Sequence, residues 1–216
     1  MRLAICTIVT RSHLAQAQSL LDSVAEFEPA ADRFALLFDD AARVETLADA
    51  TLIRPAEMLD PALFEELARR YTVLELACAL KPFLLRHLID RDYDRVLYFD
   101  ADIQLFAPID ALTEPLATHD IVLTPHVTDP LSVDGVWPYE MLLLRCGMFN
   151  LGFAGVANTA TARTMLRWWG ERLIRYCKID VAGGLFVDQR WVDLVPMLFE
   201  RTAVVRHRGC NVAWWH

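Results

Sequence analysis

The chain has 216 residues, a length at which one domain is the first expectation. Its residues are 55% hydrophobic and 23% charged, with mean hydropathy +0.25, which excludes intrinsic disorder. A net charge of −8 and a pI near 5.2 argue against a nucleic-acid partner, whose phosphates need a basic face.

Leu3–Val9 is a short apolar run and predicts a first buried strand rather than a signal segment. A helix follows from His13 to Phe27, with Leu14, Ala17, Leu20, Leu21 and Val24 on one face. Phe34–Phe38 and Thr51–Ile53 read as strands. Asp60-Pro61 opens a helix as N-cap and first helical residue, running to Tyr71. A further helix spans Thr72–Ile89, where Pro82 predicts a kink or restart.

Arg95–Phe99 is nearly all apolar, as expected of a strand buried on both faces. Ile121–Leu123 predicts another strand, and Thr124–Pro138 a long loop of functional interest. Then come a short helix over Pro138–Arg145, a strand over Phe149–Ala157 and a helix over Thr159–Tyr176. Val187–Phe199 reads as a last helical segment and Thr202–Arg206 as a final strand. Strands alternating with helices predict an α/β fold with a mostly parallel sheet.

No apolar run reaches the roughly 18 residues of a membrane span, so no transmembrane segment is expected. The five cysteines, Cys6, Cys78, Cys146, Cys177 and Cys210, are scattered and form no C-x-x-C. They read as reduced, mostly buried thiols of a cytoplasmic protein. Of the 21 basic residues only Lys81 and Lys178 are lysines, a composition that fits a GC-rich bacterial gene.

Asp100 and Asp102 stand directly after the Arg95–Phe99 strand. Ligands of open α/β sheets bind outside the carboxyl ends of the strands. Carboxylates at i and i+2 of an extended segment project to the same side and repel unless a cation lies between them. Hard oxygen ligands suit Mn²⁺ or Mg²⁺, which also grips a substrate phosphate and neutralises a leaving diphosphate. A haloacid-dehalogenase-type phosphatase is excluded, because its acidic pair follows the first strand and here Gln104 stands where it has Thr or Val. A nucleotidyltransferase is disfavoured, because Thr10-Arg11-Ser12-His13 holds no glycine.

Taken together the motifs resemble the GT-A glycosyltransferases, especially the family-8-like group of glycogenin and the bacterial lipopolysaccharide galactosyl- and glucosyltransferases. Four segments carry the resemblance in order: Leu80-Lys81-Pro82, Val96 to Ile103, Phe149-Asn150-Leu151-Gly152-Phe153, and Phe186-Val187-Asp188-Gln189. Leu3–Thr10 resembles the first strand, whose end cradles the nucleobase.

The resemblance implies a metal-dependent transferase that takes a sugar from a nucleotide-diphospho-sugar, UDP-linked, to an acceptor hydroxyl with retention. It implies Asp100 and Asp102 as ligands of Mn²⁺ or Mg²⁺. It implies Thr7, Lys81, Asp100, Ala101, Asn150 and Gly152 as the donor-binding set. Lys81 would contact the diphosphate or sugar, and Asn150 and Gly152 would line the sugar pocket. Asp188 would hydrogen-bond sugar hydroxyls, and Gln189 would stabilise the oxocarbenium-like transition state. Asp188 could equally be a plain N-cap.

Trp168, Trp169, Trp191, Trp214 and Trp215 read as core rather than sugar-stacking aromatics, while Trp137 in the long loop is an acceptor-site candidate. His126 follows a strand end and could reach donor or acceptor. The group's late His-x-x-Gly segment, which supplies a further metal ligand, has no match here, and His216 does not fit it. The reading is a single GT-A domain lacking the usual C-terminal closing segment. It predicts an exposed apolar patch or a homodimer near Trp214 and Trp215. The alternative is a degenerate pseudoenzyme that binds a nucleotide-sugar or a partner.

Overall fold

The computed structural model describes residues 1–39, 47–131, 140–210 and 212. Its strands are β1 Leu3–Val9, β2 Asp32–Leu37, β3 Thr51–Ile53, β4 Arg95–Phe99, β5 Ile121–Pro125, β6 Phe149–Ala157, β7 Ile179–Asp180, β8 Leu185–Phe186 and β9 Thr202–Val204. Its helices are α1 Leu14–Phe27, α2 Pro61–Arg70, α3 Val73–Ile89, α4 Asp110–Thr113, α5 Glu140–Cys146, α6 Ala160–Tyr176, α7 Gln189–Val192 and α8 Val195–Leu198.

Seven strands form one sheet in the order β3-β2-β1-β4-β6-β5-β9, and β7 and β8 form a separate hairpin. The α/β, mostly parallel architecture predicted from the sequence is what forms. β6 runs against its neighbours, with Phe153 opposite Phe99 of β4. That reversal matters for the site. It brings the beginning of β6 beside the carboxyl end of β4, and Asp100 donates its backbone N–H to the Gly152 carbonyl at 2.8 Å.

The side-chain alternation of β1 shows why its run is continuously apolar. Ala4, Cys6 and Ile8 face a core shared with α3 and α6, which contribute Leu80, Leu84, Met165 and Trp169. Ile5 and Val9 face the opposite side, where α1 supplies Leu20, Leu21 and Val24. Both faces of the sheet are thus covered.

Helix α3 opens with a capping box, in which Thr72 and Glu75 exchange side-chain-to-backbone hydrogen bonds. Pro82 does not end it. The proline removes a backbone donor at a cost of about 3 kcal/mol, but Leu80, Leu84 and Leu85 around it are fully buried. Each contributes about 1.5–3 kcal/mol, so packing carries the helix through to Ile89.

The segment predicted as one helix over Val187–Phe199 is instead two single turns, α7 and α8. Pro196 lies in the first turn of α8, where its missing N–H costs nothing, and it cannot continue a helix arriving from α7. The β7–β8 hairpin and α4 were not anticipated; at two and four residues they are too short to show a period. Of the predicted Pro138–Arg145 helix the structure describes α5; Pro138 and the loop residue Trp137 lie outside the described residues, as do Trp214, Trp215 and His216. No helix among the described residues is long and apolar enough to cross a membrane.

Candidate functional site

Four segments far apart in the sequence meet at the carboxyl end of β4. They are the middle of α3, the turn after β4, the beginning of β6 and the start of α7. Lys81 of α3 is their common partner, although only 4% of it is exposed. Its Nζ donates to the Leu151 carbonyl at 2.8 Å and lies 3.0 Å from Asp188 Oδ2 and 3.5 Å from Asp100 Oδ1. It also sits 4.9 Å from the centroid of the Tyr98 ring. The ammonium is therefore enclosed by protein acceptors beneath the site.

Burial alone would push the Lys81 ammonium down, but the carboxylates of Asp100 and Asp188 overcome it and hold it well above the usual lysine range. Burial pushes the Asp188 carboxyl up, and the Lys81 charge opposes that rise. A buried charge is tolerated only when paired, and this triad of one cation and two carboxylates leaves one negative charge in excess. Asp188 is 1% exposed and occupies the N-cap position of α7, but its side chain makes no capping hydrogen bond. It turns inward to Lys81 instead, so the plain N-cap role does not describe it.

The two acidic residues after β4 differ in setting. Ile103 donates its N–H to the Asp100 carbonyl at 3.1 Å, so Asp100 to Ile103 forms a β-turn rather than the extended segment expected from the sequence. Asp100 Oδ1 accepts from the Tyr98 hydroxyl at 2.6 Å. Asp102 is exposed and has no hydrogen-bond or ion-pair partner among the described residues. Ala101, between them, packs against the group of Val9, Leu21 and Leu37 at the end of β1.

Gly152 is buried against this turn. A Cβ there would stand 3.4 Å from Asp100 Oδ2, 3.3 Å from Ile103 and 3.0 Å from Asn150 Oδ1. Asn150 folds its carboxamide back onto the Gly152 N–H at 2.8 Å, which shapes the chain at the mouth of β6. Gln189 donates from Nε2 to the Cys146 carbonyl at 3.1 Å and packs on Gly147. Gly147 has φ +124°, a conformation that favours glycine, and a Cβ on it would meet the Gln189 Cβ at 2.9 Å.

Thr7 lies inside β1, fully buried, and its Oγ1 has no partner among the described residues. At the strand's end it is Thr10 that presents a hydroxyl, bonded to Ser12 and His13 Nδ1 at 2.9 Å each. Beside it the Asp39 carboxylate accepts the Arg11 backbone N–H at 2.9 Å. His126 is tied by its backbone N–H to the Met148 carbonyl at 3.0 Å. Trp169 is 1% exposed, and Trp168 and Trp191 pack against the same core, in line with their helical spacing.

Sequence reasoning missed Tyr98, which it took only as strand. Its spacing was informative, because i and i+2 of a strand share a face and Tyr98 is two residues before Asp100. It also missed the carbonyls of Leu151 and Cys146, which no side-chain pattern can reveal. Cys78 and Cys177 line the same buried region, and burial pushes both thiols up, so they remain protonated and unreactive.

The donor set suits a hard divalent cation shared with a ligand. Asp100 Oδ2 and the exposed Asp102 carboxylate are oxygen donors, and Mg²⁺ is commonly held by one or two carboxylates plus substrate phosphates. No group of three or more His, Cys, Asp or Glu that could enclose a metal by itself occurs among the described residues.

No protein-family model matches the chain. Two Bacillus subtilis (strain 168) proteins described as uncharacterized are similar to it. YfnD is 28% identical over 219 residues, covering 97% of this chain and 68% of YfnD. YfnF is 26% identical over 225 residues, covering 99% of this chain and 72% of YfnF. Among solved structures, the galactosyltransferase LgtC in complex with donor and acceptor sugar analogues superimposes with TM-score 0.56 at 14% identity, over 93% of this chain and 72% of LgtC. Mouse xyloside xylosyltransferase 1 gives TM-score 0.53 at 13% identity, over 94% of this chain and 85% of that one. The bifunctional glycosyltransferase WbbM gives TM-score 0.53 at 14% identity, and this chain spans only 38% of its length. The chain has the GT-A glycosyltransferase fold, as the resemblance implied.

Proposed function

We propose that the chain is a glycosyltransferase. It moves a sugar from a UDP-linked nucleotide-diphospho-sugar to an acceptor hydroxyl with retention, using Mn²⁺ or Mg²⁺ at Asp100 and Asp102. The observation that carries the reading is the convergence on buried Lys81 of Asp100, the Leu151 carbonyl and Asp188, next to Gln189 and at the carboxyl edge of the sheet. An α/β core has no structural need for a buried lysine between two carboxylates, and strongly perturbed titratable groups cluster at functional sites.

When bound, the cation supplies neutralisation of the departing diphosphate. The chain's own residues do the rest. Lys81 holds Asp188 and Asp100 in place from below, and acts on the donor through them. Asp188 Oδ1 accepts from sugar hydroxyls while Oδ2 stays on Lys81. Gly152 leaves the space in front of Asp100 open, and Asn150 borders the sugar. Donation from Gln189 Nε2 to Cys146 turns the amide so that its carbonyl oxygen can face positive charge at the anomeric carbon. That carbon exchanges its bond to the diphosphate for one to the acceptor oxygen on the same face, and the acceptor's hydroxyl proton passes to the departing diphosphate oxygen. Thr10 and Asp39, at the ends of β1 and β2, would meet the nucleobase. The five free cysteines support a reducing, cytoplasmic setting.

Asp102→Asn should abolish metal-dependent donor hydrolysis and transfer. Unchanged turnover in that variant refutes the reading. A second reading, a nucleotide-sugar-binding pseudoenzyme, is favoured by the lack of a third metal-ligand side chain among the described residues. UDP binding that strengthens with Mn²⁺, without hydrolysis or transfer of any UDP-sugar, would select it.

A further inference from the structure

Each oxygen of the Asp100 carboxylate has a different environment. Oδ1 accepts the Tyr98 hydroxyl at 2.6 Å and lies 3.5 Å from Lys81 Nζ. Oδ2 has no hydrogen-bond or ion-pair partner among the described residues, and a Cβ at position 152 would stand 3.4 Å from it, so the glycine leaves that side of the carboxylate open. Tyr98 is 2% exposed, its ring clamped between Lys81 and the sheet.

A carboxylate's terminal torsion is broad and turns easily. A short hydrogen bond to an ionised acceptor is among the stronger protein hydrogen bonds, and directional.

We propose that Tyr98 is a positioning residue: its hydroxyl commits Asp100 Oδ1 and so aims Oδ2 alone at the cation. Asp100 is then a one-oxygen ligand, which leaves coordination positions for Asp102 and for the donor's diphosphate. The inference rests on the metal-dependent reading above and adds to it the group that orients the ligand. Partners behind a ligand commonly account for about 10–100-fold in metal affinity.

The test is Tyr98→Phe, which deletes one oxygen and leaves the ring over Lys81. Mn²⁺ affinity is measured by calorimetry in saturating UDP, with free Mn²⁺ followed by electron paramagnetic resonance as a second readout. The expected result is Mn²⁺ affinity weakened by about 10–100-fold, metal-free UDP affinity unchanged, and turnover largely recovered at saturating Mn²⁺. The melting temperature of the metal-free variant reports the fold separately; a purely structural hydroxyl would lower it without moving Mn²⁺ affinity. Wild-type affinity in Tyr98→Phe, with Asp102→Asn abolishing binding, overturns the positioning role and spares the metal site. Failure of the wild-type chain itself to bind Mn²⁺ with UDP overturns both.

Discussion

The buried triad makes a quantitative demand on stability. Lys81→Met keeps the stem and removes the charge, leaving Asp188 (1% exposed) without its counter-ion. At an effective dielectric constant of about 20, a pair at 3.0 Å attracts by about 5.5 kcal/mol. The Asp100 contact at 3.5 Å is longer, and its side chain is 41% exposed, so solvent screens much of its share. The Asp188 contact dominates. Removing one partner of a buried pair costs about 3–5 kcal/mol, a large part of the roughly 5–15 kcal/mol of a typical domain. At about 2–4 °C per kcal/mol for this chain length, Tm should fall by about 6–20 °C. The double variant Lys81→Met with Asp188→Asn buries no net charge at these two positions and should be more stable than Lys81→Met alone, a coupling of about 2 kcal/mol or more. The deficit of Lys81→Met should shrink as pH falls, because the Asp188 carboxyl, already pushed up by burial, then takes a proton. Thermal melts give the fall in Tm, and urea unfolding of the four proteins of the cycle at neutral and mildly acidic pH gives the coupling and its pH dependence. Single-variant effects that simply add, or a Lys81→Met protein as stable as the wild type, refute the buried ion pair.

Two further substitutions test other parts of the structure. Burial, reinforced by the Arg91 charge, depresses His87, whose Nε2 has no partner among the described residues. The unfolded chain therefore binds a proton at higher pH than the folded one, so this contribution to stability is full above the usual histidine value of about 6.5 and is lost as pH falls through it. His87→Gln should flatten the decline of stability between neutral and mildly acidic pH; an identical slope refutes the assignment. Gly147→Ala places a Cβ 2.9 Å from that of Gln189 at φ +124°. It should cost about 1–3 kcal/mol and reduce transfer more than donor binding, and full transfer at unchanged Tm refutes the tight contact.

The framework was legible because its signals are local. Continuous apolar runs in β1 and β4, the stripe of α1 and the Asp60-Pro61 and Thr72 starts each depend on neighbours within a few residues, and each formed as read. The errors have equally specific causes. The restart offered at Pro82 does not occur, because α3 is buried around the proline to an extent that the sequence does not reveal. The segment after Val187 was read as one helix because its apolar spacing continues past Pro196, although its backbone cannot.

The chemistry of the site was legible in type and not in arrangement. Asp100 and Asp102 stand out in the sequence as carboxylates directly after a buried strand, whereas Lys81, Asn150, Gly152, Asp188 and Gln189 are picked out only by the resemblance of their segments to the GT-A motifs. How the charges pair was hidden, because Lys81 reaches partners 70 and 107 positions away, and one of them is a backbone carbonyl. A lysine beside a helix proline reads as solvated or as a ligand contact, since most lysines keep their charge in water. The two carboxylates make the interior position tolerable, and the reversal of β6, which sets Leu151 over α3 and Gly152 against Asp100, adds the backbone acceptor that completes it. The strand direction that periodicity cannot report therefore decides what the lysine does. A parallel β6 would have carried Asn150, Leu151 and Gly152 to the opposite edge of the sheet, leaving the Lys81 ammonium without its backbone acceptor and Asp100 without Gly152 beside it.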